Sequence, residues 1–189
     1  MVDFNTYSKK FEAILNASPP PPPYDNAEYF NYLKLNYSRQ NRWLKKAEIN
    51  EDLIQVINLI QQKQEWIVIT EPWCGDAAHT IPFIYLATKH SSMIELKFSW
   101  RDSAPFLIEN YLTNGSKSVP KLIVRDKKNN DLFTWGPRPV ACQQLYEKLK
   151  QENADFETVK VQLQNWYNTD KGKSFQKELL LKLSDFTSV

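Results

Sequence analysis

A chain of 189 residues with 42% hydrophobic and 13% aromatic side chains has apolar material for one sizeable core plus extensions. Its 24 basic and 22 acidic residues nearly cancel and the positives are scattered, which excludes an electrostatic nucleic-acid binder from the expected classes. No stretch approaches 18 apolar residues, and two widely separated cysteines, Cys74 and Cys142, supply neither a disulfide framework nor metal-ligand spacing, so a cytoplasmic protein without membrane contact or metal is expected.

Phe4, Tyr7, Phe11, Ile14 and Leu15 recur at helical spacing and predict a short amphipathic helix over Asp3 to Asn16. Five prolines, Pro19 to Pro23, end it; between two helices they read as a stiff spacer rather than as a polyproline ligand. Ala27 to about Lys46 forms a second, aromatic-rich helix, with Tyr29, Phe30, Tyr32, Leu33, Tyr37 and Trp43 turned towards a core. Asn50 then caps a third helix from Glu51 to about Gln62, apolar enough to pack on a sheet.

An α/β alternation follows. Glu65 to Thr70 is a buried strand, Cys74 to about Lys89 a helix broken or kinked at Pro82, and Ile94 to Trp100 a second strand followed by Arg101-Asp102. A short helix over about Ala104 to Leu112 leads to a turn at Asn114-Gly115. Lys121 to Arg125 and Leu132 to Trp135 make a hairpin around Asn129-Asn130. Gly136-Pro137-Arg138-Pro139 breaks the chain ahead of a long helix from about Val140 towards Tyr167, and beyond Gly172 a last helix covers Phe175 to Leu183.

The segment Trp66 to Pro82, WIVITEPWCGDAAHTIP, carries the chemistry. It delivers Cys74 from a strand to a helix N-terminus, where unpaired N–H groups and the helix dipole favour the nucleophilic thiolate. The competing reading makes Cys74 a small buried hydrophobe.

The order β-α-β-α-β-β-α with a cysteine after the first core strand is similar to that of the thioredoxin-like superfamily, and four landmarks stand in register with it. Trp73-Cys74-Gly75 resembles the start of the Trp-Cys-Gly-Pro-Cys signature, Pro82 the proline of the active-site helix, Val119-Pro120 the cis-proline, and Gly136 the glycine lining the substrate groove. The Cys-Gly-Asp-Ala-Ala segment most resembles little-characterised thioredoxin-like proteins of bacteria. The resemblance implies an α/β thioredoxin fold, a central mixed sheet of about four strands flanked by helices. It covers about Ala47 to Leu149, leaving residues 1–46 as an N-terminal helical extension and 150–189 as a C-terminal helical tail packed on the same domain.

The chain also departs from that pattern. Ala77 stands where the second cysteine would resolve a mixed disulfide, and Val68 where a buried acid would handle the proton. Cys142 reads as a packing residue and His79 as a surface residue. Asp76, in the first helical turn, suits the dipole but opposes a second negative charge on Cys74. Arg138, and Arg101 beside it in role, would stabilise a thiolate, grip a substrate carboxylate, or simply form surface ion pairs.

Three readings remain open on these residues. Cys74 is a one-cysteine centre of thiol-disulfide exchange, with glutathione or another small thiol as co-substrate and no bound cofactor. Alternatively, the fold is a redox-inactive module that uses the groove of Val119, Pro120, Gly136 and Arg138 to hold a peptide or thiol-containing partner. The third reading is a conjugating or peroxide-reducing activity. In each, Trp73, Gly75, Asp76 and Ala77 support the Cys74 corner, the partner is a thiol- or disulfide-containing protein or a small thiol, and the chain is a monomer or weak homodimer.

Overall fold

The strand β1 (Gln64–Thr70) is the axis of the molecule. Six of its seven residues are buried, including neighbours that point to opposite faces, so both sides of the strand are covered. The computed structural model describes residues 1–187. In it β1 pairs in parallel with β2 (Ile94–Trp100) and antiparallel with β3 (Lys121–Arg125), which pairs antiparallel with β4 (Asp131–Trp135). The resulting mixed sheet has the order β2-β1-β3-β4. Val2 adds a bridge to the free edge of β2, exchanging two hydrogen bonds of 2.9 and 2.7 Å with Phe98.

Two helices precede the sheet, α1 (Phe4–Leu15) and α2 (Ala27–Lys46), each with the N-cap that its sequence supplies, Asp3 and Asn26. Tyr7 and Phe11 of α1 reach the same core as β1 and β2, with Tyr7 stacked on Phe98 at 4.4 Å. The proline run between them is folded into turns, Tyr24 N–H donating to the Pro21 carbonyl at 2.8 Å, and this buries Tyr24. After α3 (Glu51–Asn58), the helix α4 (Gly75–Thr88) packs against α2, while α5 (Val140–Gln151) pairs with α6 (Phe156–Asp170) and α7 (Lys173–Thr187) with α3.

Several boundaries differ from the sequence reading, each for a local reason. The third helix stops at Asn58, because the N–H groups of Leu59 and Ile60 turn back to carbonyls three residues earlier. Helix α4 continues through Pro82 without a break. The expected helix over Ala104 to Leu112 shrinks to a single 3-10 turn, Leu107–Asn110, entered through Phe106 in the left-handed region at φ 53°. The long helix from Val140 is two helices: Asn153, at φ 54°, ends α5, and Asp155 caps α6 through Thr158 N–H at 2.8 Å.

Gly172 lies between α6 and α7 with φ 76°, and its Cα faces the Phe83 ring so closely that a Cβ would lie 2.3 Å from Phe83 Cζ. This is where the C-terminal helices close on α4. Gly172→Ala is expected to lower stability by about 1–3 kcal/mol through overpacking and backbone strain, read as a lower urea midpoint with an unchanged m value.

Candidate functional site

The turn after β1 fixes Cys74. Its backbone N–H donates to the Glu71 carbonyl at 3.0 Å, and the side chain of Asn36, on α2, donates to the Pro72 carbonyl at 3.0 Å. Cys74 is thereby the N-cap of α4, its Sγ accepting from Ala77 N–H at 3.4 Å. The thiol proton goes elsewhere: Sγ donates to the Val119 carbonyl at 3.2 Å, on the far side of the groove, immediately before the cis Val119–Pro120 bond. Gly136, at φ 116°, lets the segment after β4 cross Pro120, since a Cβ there would stand 2.2 Å from the Pro120 carbonyl oxygen.

The thiol is buried, with 6% of its residue surface exposed. Burial first, and then the Asp76 carboxylate, push its pKa up from 9.0 to about 12, against smaller opposing contributions from the Ala77 N–H and Arg138. The helix N-terminus that the sequence suggested would favour the thiolate is therefore outweighed. Val68, where the resemblance implies a buried acid, is fully buried in the apolar core; the acid that follows β1, Glu71, accepts from the Asp102 N–H at 3.0 Å.

Asp76 is bound on both oxygens. Arg138 Nη2 lies 2.7 Å from Oδ2 and the Tyr167 hydroxyl donates to Oδ1 at 2.9 Å. Burial raises the Asp76 carboxyl, while Arg138 and Tyr167 draw it back. Arg138 is further held by Gln143 at 3.1 Å and lies over the Tyr146 ring at 4.3 Å. Arg101 is chelated by Asp102 at 2.8 and 2.7 Å and covers Trp73. Both arginines thus reach the groove with a carboxylate already in place.

A cleft of about 1160 Å³ opens over these residues, lined by Trp73, Cys74, Gly75, Asp76, Val119 and Arg138. Ala77, Pro120 and Gly136 support the corner from behind and do not line it. Its other walls come from outside the region of sequence resemblance, from Tyr29, Tyr32 and Arg39 on α2 and from Phe156, Lys160, Leu163 and Tyr167 on α6. Cys142 is fully buried, is absent from the lining, and its thiol is likewise pushed up to about 12 by burial. Among the described residues no group of His, Cys, Asp and Glu side chains could hold a metal, and no helix is long and apolar enough to cross a membrane.

His79 is a buried residue, not the surface residue that the sequence suggested, because it supplies the joint between α2, α4 and α6. Its Nδ1 accepts from Trp43 Nε1 at 2.9 Å, which leaves the proton on Nε2 to be donated to Gln164 at 3.1 Å, and its ring stacks on Tyr167 at 4.5 Å. Tyr167, Gln164, Asn36 and Arg39 carry no mark in the sequence beyond helical spacing, since their partners lie on other elements.

Burial lowers the His79 pKa from 6.5 to about 3, so the ring is neutral in the fold. A depressed folded-state pKa contributes stability that is complete above pH about 6.5 and lost as pH falls towards 3. The urea midpoint of the native protein is expected to drop more steeply than that of His79→Gln between pH about 7 and 4.5.

Residues 23–151 match a family model described as thioredoxin. Among solved structures, a protein of unknown function from Pseudomonas aeruginosa is similar with a TM-score of 0.60 and 14% identity, over 97% of this chain and 92% of that one. An HIV epitope-scaffold is similar with a TM-score of 0.53 and 14% identity, over 99% and 90%. At that identity these two likenesses speak for the fold alone. No curated protein matches the chain. The family model spans α2 through α5, including the turn that carries Cys74 and the cis-proline loop facing it, and the chain belongs to this thioredoxin family.

Proposed function

We propose that this thioredoxin-like protein is a binding module whose cleft holds a peptide or thiol-containing partner over Cys74, with the thiol protonated at rest. The observation that carries this reading is the hydrogen bond that the Cys74 thiol donates to the Val119 carbonyl, in a buried corner beside the Asp76 carboxylate. A resting thiol there is a hydrogen-bond donor that ties the active-site turn to the cis-proline loop. It is a poor nucleophile, because the thiolate is the attacking form. The breadth of the cleft and its aromatic walls support binding of a body larger than a single side chain.

The second reading is one-cysteine exchange, and the Ala77 N–H directed at Sγ favours it. In that reading the Cys74 thiolate attacks a disulfide, one sulfur joins Cys74 and the other leaves as a thiolate. An external thiolate such as that of glutathione then attacks the mixed disulfide and regenerates Cys74.

The pH dependence of Cys74 alkylation separates the two. For the binding module the rate should rise with an apparent pKa above the free-cysteine value of about 8.5, and Asp76→Asn should move that value downward. An apparent pKa below about 8.5, with steady turnover of a small disulfide by the native protein, would overturn the binding reading in favour of exchange.

A further inference from the structure

The cleft presents six basic side chains, and four of them are already paired. Arg101 holds Asp102, Lys117 holds Glu109, Arg138 holds Asp76 and Lys160 holds Glu157. Lys150 is exposed on α5, with its Nζ over the Tyr146 ring at 5.8 Å. Arg39 differs from all of these. It is half-buried at the wall beside the Cys74 turn, and no carboxylate pairs with it among the described residues.

Its position is set from below. Asn36, one helical turn earlier on α2, accepts from Arg39 Nη1 at 2.9 Å while donating to the Pro72 carbonyl at 3.0 Å, so the guanidinium is tied to the same turn that carries the thiol. Nη1 lies 3.7 Å from where a Cβ on Gly75 would stand, one residue from Cys74. Asp76 cannot neutralise it by contact, because both carboxylate oxygens are engaged by Arg138 and Tyr167. Asp76 acts on Arg39 only at a distance; a guanidinium partly withdrawn from water and without a carboxylate in contact favours the arrival of one, and its planar fork suits a carboxylate. Tyr29 and Tyr32 continue the same face of α2 outward, opposite Phe156 on α6, and Tyr29 and Phe156 are 45% and 63% exposed. They offer apolar cover to the body of a ligand whose charged end rests on Arg39.

We propose that the ligand of this cleft is a peptide bearing a carboxylate, anchored on Arg39 beside the Cys74 turn. The assignment rests on the binding reading above and makes Arg39 its specificity-determining residue. The carboxylate belongs to a free small peptide or to an acidic side chain of a protein segment, two sources of one chemistry.

Calorimetry with thioether ligands, which cannot exchange, tests it. S-methylglutathione is expected to bind the native protein at least ten-fold more tightly than its dimethyl ester. Arg39→Gln should erase that preference, and Arg39→Lys should keep only part of it. The comparison of acid with ester needs no variant and so does not depend on how Arg39→Gln folds. A capped, S-methylated Asp-Cys-Glu peptide that binds more tightly than S-methylglutathione assigns the carboxylate to a protein segment; the reverse order assigns it to a free peptide. Equal binding of acid and ester by the native protein overturns the role of Arg39 and leaves the cleft as a binding site. Binding of neither by the native protein overturns both.

Discussion

The corner around Cys74 depends on the buried pair of Asp76 and Arg138. One carboxylate joins three parts of the chain, the first turn of α4 that carries it, the segment after β4 that carries Arg138, and α6 through the Tyr167 hydroxyl. Each charge would be poorly solvated alone at that depth, so neither can be removed without stranding the other; loss of one partner of such a pair typically costs about 3–5 kcal/mol. The pair therefore holds the C-terminal helices against the active-site helix and forms one wall of the cleft.

The same carboxylate shapes the chemistry. In a thioredoxin-type corner the helix N-terminus draws negative charge onto the cysteine sulfur, and here a fixed negative charge occupies the first turn of that helix. Arg138 neutralises much of it locally, but its hydrogen bonds are directed at Asp76 and Gln143 rather than at the thiol. The buried thiol donates its hydrogen bond to the Val119 carbonyl. Ala77 and Val68 place neither a second cysteine nor a buried acid beside this thiol.

The fold was legible where local signals and long-range pattern agree. The strand Glu65 to Thr70 and the hairpin around Asn129-Asn130 can be read from residue type and spacing, because turns and buried strands impose strong local demands, whereas the register of Pro120 and Gly136 with Cys74 came from the resemblance to the thioredoxin family. The break at Asn153 was missed because asparagine is tolerated in helical as well as left-handed backbone, so residue type alone does not place the break ahead of the Asp155 cap. The burial of His79 was missed for a different reason. Its partners Trp43 and Gln164 lie on helices far away in sequence, and a histidine five residues beyond Cys74 gives no sign of either. The walls of the cleft were invisible on the same ground: α2 and α6 lie far apart in the sequence, and only the folded chain brings Arg39 and Tyr167 to one cleft.

The bridge from Val2 to Phe98 bears on self-association. An outer strand of a sheet offers unpaired N–H and C=O groups to any other chain that can lie alongside it, and such templates are a common route to dimers and aggregates. In this protein the middle of β2 already has a strand partner, supplied by the second residue of its own chain. Loss of that single bridge would uncover the Phe98 backbone and leave β2, like β4 at the other side of the sheet, as an open edge.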